Sequence, residues 1–177
     1  TLPPRPGETL EEFRDRAEAD AGAQAEQARN RGVDLHAAVE AWYQTGAVSP
    51  ANAPFVMPVV EWLANNCHGA QWQPERSFAC KEGYGGKIDL YAPGIVIDLK
   101  FKDFDDPDKI RGYDEHEMQL AAYAHGLGDP AARLINLFIS STVPGLIVPV
   151  EWEPNTAAYE AFLCLLRLWQ IRRGYVP

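Results

Sequence analysis

The order of patterns along this chain predicts a mixed β-sheet flanked by helices. Three observations lead there. Residues 10–66 read mostly as helix, rich in Ala, Glu, Gln and Arg and then in apolar residues at helical spacing. From Gln71 the pattern switches to short strand-like runs separated by Gly and Pro. Beyond Phe101 the order becomes helix, strand, strand, helix. Such interleaving gives a sheet with helices on its faces.

Each element has a local reason. The Pro-rich start, residues 1–8, reads as extended. Thr9 is placed to cap a helix, with Glu12 three residues on as its capping-box partner. A helix over residues 10–30 follows, with a thin apolar face. Gly32 separates it from a second, more amphipathic helix to about Gln44, in which Leu35, Val39 and Trp42 share a face. Residues 45–54 read as loop and 55–66 as a third helix, with Val59, Val60, Trp62 and Leu63 apolar. Strands fall at residues 73–80, 85–91 and 95–101, and the Pro93-Gly94 turn folds the last two into a hairpin. A charged loop over 101–113 leads to a helix at 114–126, strands at 133–140 and 146–152, and a last helix at 155–173. No internal repeat is present.

The length of 177 residues suits one domain with its own core: an N-terminal extension and helix at 1–31, then the main domain at 32–177. No apolar run approaches the roughly 18 residues of a membrane span, and no membrane partner is expected. The first residues lack the charged-then-apolar pattern of a secretory leader. There is no initiator Met, which leaves open sequence upstream. Cys67, Cys80 and Cys164 are widely spaced and odd in number, against a disulfide framework or a structural zinc site. A reducing, cytoplasmic setting is expected, with Cys164 buried in a helix. The formal net charge of -9 argues against sequence-independent binding to nucleic acid through a basic surface. Arg167, Arg172 and Arg173 near the C-terminus form a local exception, and a metal site needs carboxylates.

The hairpin carries the chemistry. Strand side chains alternate, so Asp98 and Lys100 share one face while Ile95, Ile97 and Leu99 point to the other. With Pro93-Gly94 as the turn residues, Asp89 falls directly across from Asp98. Two facing carboxylates repel. Protonation of one relieves that, and so does a hard divalent cation such as Mg²⁺ between them, with Lys100 beside it. Such a set can hydrolyse a phosphodiester: the cation activates water and the lysine stabilises developing charge. On spacing alone, a solvent-facing hairpin with one polar side explains the same residues.

The wider pattern adds to this. The run Gly83-Tyr84-Gly85-Gly86-Lys87-Ile88-Asp89-Leu90, then Val96-Ile97-Asp98-Leu99-Lys100, then Gln119-Leu120-Ala121-Ala122-Tyr123 resembles the PD-(D/E)XK nuclease superfamily. Within it the likeness is to the RecB-like exonuclease branch, which includes phage exonucleases and mitochondrial genome maintenance exonucleases. In that branch an upstream helix supplies a histidine, matched here by His36. The resemblance implies a restriction-endonuclease-like core that acts on DNA ends with Mg²⁺ or Mn²⁺, on single or double strands, in repair or recombination. It implies Asp89, Asp98 and Lys100 as catalytic residues. It implies His36, Asp89, Asp98 and the Leu99 carbonyl as metal ligands. Gln119 and Tyr123 match the helix pair that touches substrate or the lysine, and they share a helix face by spacing. Glu75 and Glu40 are further candidates near the metal, and Lys102 and His116 read as surface residues able to contact phosphate. Some relatives hold an iron–sulfur cluster with four Cys; three Cys here, wrongly spaced, lead us to expect none. A helicase or recombinase partner that delivers substrate is left open. Two other readings stay beside the nuclease: a non-catalytic nucleic-acid-binding or assembly domain that keeps the fold, and a metal-dependent hydrolase of another substrate. The intact Asp, Asp, Lys set argues against the former; the acidic charge favours the latter.

Overall fold

Thr9 begins the first helix as its sequence implies. Its hydroxyl accepts from the Glu12 N–H at 3.3 Å, and Glu12 Oε2 accepts from the Thr9 N–H at 2.8 Å. The computed structural model describes residues 3–153 and 156–177. In it one helix, α1 (Leu10–Thr45), runs where two were expected. Gly32 does not break it, because a lone glycine costs a helix only about 1 kcal/mol. The helix passes over the sheet at this point with room for a side chain: an added Cβ would make only ordinary contact, 3.9 Å from the Phe101 carbonyl oxygen. Gly46, with φ of 71°, ends the helix in the left-handed conformation that glycine adopts freely. Helix α2 (Ala53–Asn66) follows, with Pro54 in its first turn, where no N–H is missed.

Five strands form one sheet: β1 (Gln73–Cys80), β2 (Tyr84–Ala92), β3 (Ile95–Lys102), β4 (Arg133–Ser140) and β5 (Ile147–Trp152), in that spatial order. The β3–β4 pair is parallel and the other three are antiparallel. Parallel neighbours need a crossover, and α3 (Asp114–Gly126) supplies it. Helix α4 (Thr156–Arg173) closes the chain; Asn155, its expected first residue, lies outside the described residues. A short 3₁₀ turn, Pro107–Lys109, interrupts the charged loop.

The sheet has a core on each face. Leu90, Ile97, Leu99, Ile135 and Leu137 pack with Val39 of α1 and Val56, Val59 and Leu63 of α2. Ile88, Val96 and Leu134 pack with Leu120 and Ala124 of α3 and Ala158 of α4. Covered on both sides, β4 reads as an almost unbroken apolar run; Asn136 and Ser140 are its buried exceptions. Cysteine placement departs from expectation. Cys164 is exposed on the outer side of α4, and Cys67, after α2, is the buried one. All three are free thiols. Among the described residues no helix is long and apolar enough to cross a membrane.

The regular pattern fails at one place. Ile88 and Leu90 are two apart in β2, yet they join opposite cores, so alternation breaks at Asp89. Across from it, Glu75 has a φ of 54°, unusual for a residue with a side chain. The β1–β2 ladder pairs Pro74 with Leu90 and Arg76 with Ile88, and omits Glu75 with Asp89. The β2–β3 ladder keeps the expected register but stops at Leu90–Ile97, one pair short of Asp89 and Asp98. The sheet therefore loosens on both sides of Asp89.

Glycines set the packing beside this break. An added Cβ at Gly86 would meet Tyr123 and Phe78 at 2.8 and 2.9 Å, and one at Gly126 would overlap the Phe78 ring. Phe78 is held edge-on to Tyr123 with ring centroids 5.9 Å apart. We predict that Gly126→Ala costs about 1–3 kcal/mol through overpacking, a fall of several degrees in melting temperature. Phe78→Leu in the same chain should restore part of it. An unchanged melting curve for Gly126→Ala would contradict this packing.

Candidate functional site

The loosened edge of the hairpin gathers polar side chains from both sheet faces. Where the β2–β3 ladder ends, the Leu99 N–H donates to Asp89 Oδ2 at 2.7 Å. The carboxylate thus replaces the strand as acceptor, which satisfies a backbone donor that burial would otherwise penalise. Its other oxygen, Oδ1, lies 3.5 Å from His36 Nδ1. His36 comes from α1, four residues after Gly32, and its ring sits edge-on to Phe101 at 5.0 Å between centroids. The packing of α1 against β3 thereby delivers the imidazole to Asp89.

Asp98 is nearly buried, at 5% exposure. Lys100 Nζ stands 2.8 Å from its Oδ2 and donates to its Oδ1 at 3.0 Å. The parallel register places Asn136 beside Asp98, and Asn136 Nδ2 donates to Oδ2 at 2.8 Å. Trp152 Nε1 donates to Asn136 Oδ1 at 2.8 Å, which fixes the orientation of that amide. Burial pushes the Asp98 carboxyl above its usual range; Lys100 pulls it back, and the charge of Asp89 adds to the push. The burial effect prevails despite the close ammonium.

Lys100 is held from the helix side as well. Nζ donates to Gln119 Oε1 at 3.2 Å, and Gln119 Nε2 donates to the Tyr123 hydroxyl oxygen at 2.8 Å. Burial raises the Tyr123 pKa, so the phenol stays protonated at neutral pH. His116, read from sequence as a surface residue, is half-buried, with its ring edge-on to Phe138. Burial and the charges of Lys100 and Lys102 hold its pKa below the usual value. Lys102 itself lies over the Tyr113 and Phe138 rings, at 5.9 and 5.1 Å from their centroids.

Glu75 forms an ion pair with Lys87 of β2, which the ladder pairs with Ser77. That contact raises the Lys87 pKa, and the charges of Glu40 and Asp89 contribute in the same sense. Glu40 Oε1 accepts from Gln44 Nε2 at 2.8 Å. The arrangement therefore has two close sets: His36 with Asp89, and Asp98 with Lys100, Gln119 and Asn136. Among the described residues no group of three or more His, Cys, Asp or Glu side chains is close enough to hold a metal ion. Asn136 and Trp152 were not singled out from sequence. A lone amide inside the apolar run of β4 was the available signal, but its partner follows only from the parallel register.

Comparison with known proteins adds to the description of the fold. No family model matches the chain, and no curated protein matches it. Among solved structures, a protein from Eubacterium rectale provisionally described as an exonuclease superposes with a TM-score of 0.52 at 13% identity. That match covers 83% of this chain and 69% of the other. The protein SSO0001 superposes with a TM-score of 0.42 at 23% identity, over 68% of this chain and 58% of its own. The first likeness is one of fold: a five-stranded mixed sheet flanked by helices.

Proposed function

We propose that this chain is a divalent-metal-dependent deoxyribonuclease acting on DNA ends. The observation that carries the reading is the suspension of Lys100 between Asp98 and Gln119, beside an Asp89 that is itself paired with His36. The resemblance in sequence supports it, and so does the fold shared with the Eubacterium rectale protein described as an exonuclease. The DNA end, single- or double-stranded, belongs to the proposal on the strength of the resemblance alone.

The residues suit a hard cation in their chemistry. Asp89 and Asp98 present carboxylates whose charges oppose one another, and oxygen ligands are what Mg²⁺ and Mn²⁺ prefer. His36 and the Leu99 carbonyl would complete the protein's share of the ligands once His36, Asp89 and Asp98, which do not stand close enough together to hold an ion in this structure, drew in around it. When bound, such an ion would polarise a phosphoryl oxygen and activate water. The rest falls to the chain. An ammonium has three N–H donors. Asp98 and Gln119 engage Lys100 and hold it in one orientation, so a remaining N–H can face a phosphodiester or the water that attacks it. Gln119 is kept from rotating by Tyr123, and Asp98 by Asn136. Positive charge at Lys100 then opposes the negative charge that grows in the transition state.

Lys100→Ala should lower cleavage of labelled single- and double-stranded DNA in Mn²⁺ by roughly a hundredfold or more, with DNA affinity nearly unchanged, because such a group acts on turnover more than on ground-state binding. Equal loss of binding and cleavage would reduce Lys100 to a phosphate contact or a structural residue. Wild type that binds DNA and cleaves none under any divalent metal would instead favour a non-catalytic domain.

A pH dependence follows from Asp98. Its folded pKa is raised above the unfolded value. The associated stability is therefore present below the ordinary Asp pKa and is lost as pH rises through the higher folded value. In EDTA, the wild-type melting temperature should fall across that window, while Asp98→Asn, which has no carboxyl to titrate there, shows a flatter profile. Parallel pH profiles for the two proteins would contradict the burial of a charged Asp98.

A further inference from the structure

A groove of about 640 Å³ opens beside the Lys100 network, between the start of β2 and helices α3 and α4. Tyr84, Tyr123, Phe162 and Trp169 line it, together with Gln119 and His116. The cleavage chemistry argued from Asp89, Asp98 and Lys100 makes no use of this space. Yet Gln119 and Tyr123 belong to both, since they are the residues that hold Lys100 from the helix side. The groove is thus continuous with the candidate site. Trp169 is 49% exposed, so much of its indole is available to a ligand.

Resting on the nuclease reading above, we propose that this groove takes the unpaired bases of a single DNA strand whose backbone is presented to Lys100. Every base has a flat face that stacks on an aromatic ring, so a row of aromatic side chains accepts a strand of any sequence. The charges are arranged to match. His116 and Gln119 line the groove; Gln119 holds Lys100, and the charges of Lys100 and Lys102 reach His116, so cations stand behind that wall for a phosphodiester to meet. Inside the groove, Glu115 repels phosphate, so bases rather than backbone face the aromatic walls. Arg172 and Arg173 in the last turn of α4 supply further cations beyond Trp169. A net charge of -9 leaves little general attraction for DNA, which makes stacking the main source of affinity. A duplex keeps its bases stacked within itself and cannot enter in this way.

The test is binding of a short fluorescent oligo(dT) by anisotropy, in EDTA, so that affinity is read without cleavage. Trp169→Ala should weaken binding about tenfold or more, with stacking lost, and Trp169→Phe should keep most of it. Leu168→Ala, on the exposed side of α4, serves as the control and should bind as wild type does. A blunt hairpin duplex should bind more weakly than the single strand. Unchanged affinity in a folded Trp169→Ala protein would overturn the groove assignment, even if that protein still cleaves DNA. Concentration-dependent self-association abolished by Trp169→Ala, with no oligonucleotide binding, would also overturn it and make a second copy the occupant. Wild type that binds oligo(dT) through Trp169 but cleaves no DNA in Mn²⁺ would support the groove while sinking the nuclease reading.

Discussion

The site depends on one hydrogen bond, from the Leu99 N–H to the Asp89 carboxylate. A strand donor is ordinarily satisfied by a neighbouring strand's carbonyl. Here the neighbour draws away after Leu90–Ile97, and a charged side chain takes over. The substitution keeps the backbone satisfied while it opens the sheet enough to admit polar groups. It also forces Asp89 near Asp98, whose carboxyl feels that charge. Glu75, in its left-handed conformation across the β1–β2 pair, is part of the same distortion. Strained backbone tends to persist where function requires a particular side-chain position.

Around that opening the fold supplies a continuous polar support. Trp152 orients Asn136, Asn136 and Lys100 hold Asp98, Gln119 holds Lys100, and Tyr123 holds Gln119. The chain of contacts crosses β5, β4 and β3 and ends on α3. Beyond it, Phe78 wedges Tyr123 in place between two glycines. Among the described residues every buried side-chain nitrogen and oxygen has a hydrogen-bond partner. A fully satisfied network of this kind is rigid, and rigidity is what a charge-stabilising site needs, since donors that must reorganise lose their advantage.

Much of this was legible in the residues. The Thr9–Glu12 cap, the hairpin register set by Pro93-Gly94, and the shared face of Asp98 and Lys100 all follow from short-range rules. Gln119 and Tyr123 are four apart, so their contact was geometric. What sequence did not give was long-range or negative. The apolar pattern weakens near Gly32 and suggested a break, but nothing in the sequence reports that α1 passes over Phe101 there. Residue type points Cys164 to the interior, whereas α4 turns that side outward. The partnership of Asn136 with Asp98 depends on two strands lying parallel across a helical crossover. The end of the ladder at Asp89 is invisible to alternation, because the register itself is unchanged.

Asp89 accepts from the Leu99 N–H, and its charge bears on Asp98; the proposed function has a divalent cation relieve that repulsion. Thermal melts of wild type and Asp89→Asn, in EDTA and in millimolar Mn²⁺, test it most directly. The account predicts that Mn²⁺ stabilises wild type, by about 2.7 kcal/mol at a hundred times its dissociation constant. It predicts that Asp89→Asn, which keeps an oxygen acceptor for Leu99 but loses the charge, is no less stable in EDTA and gains nothing from the metal. A wild-type melting temperature that does not move at saturating Mn²⁺ would contradict it.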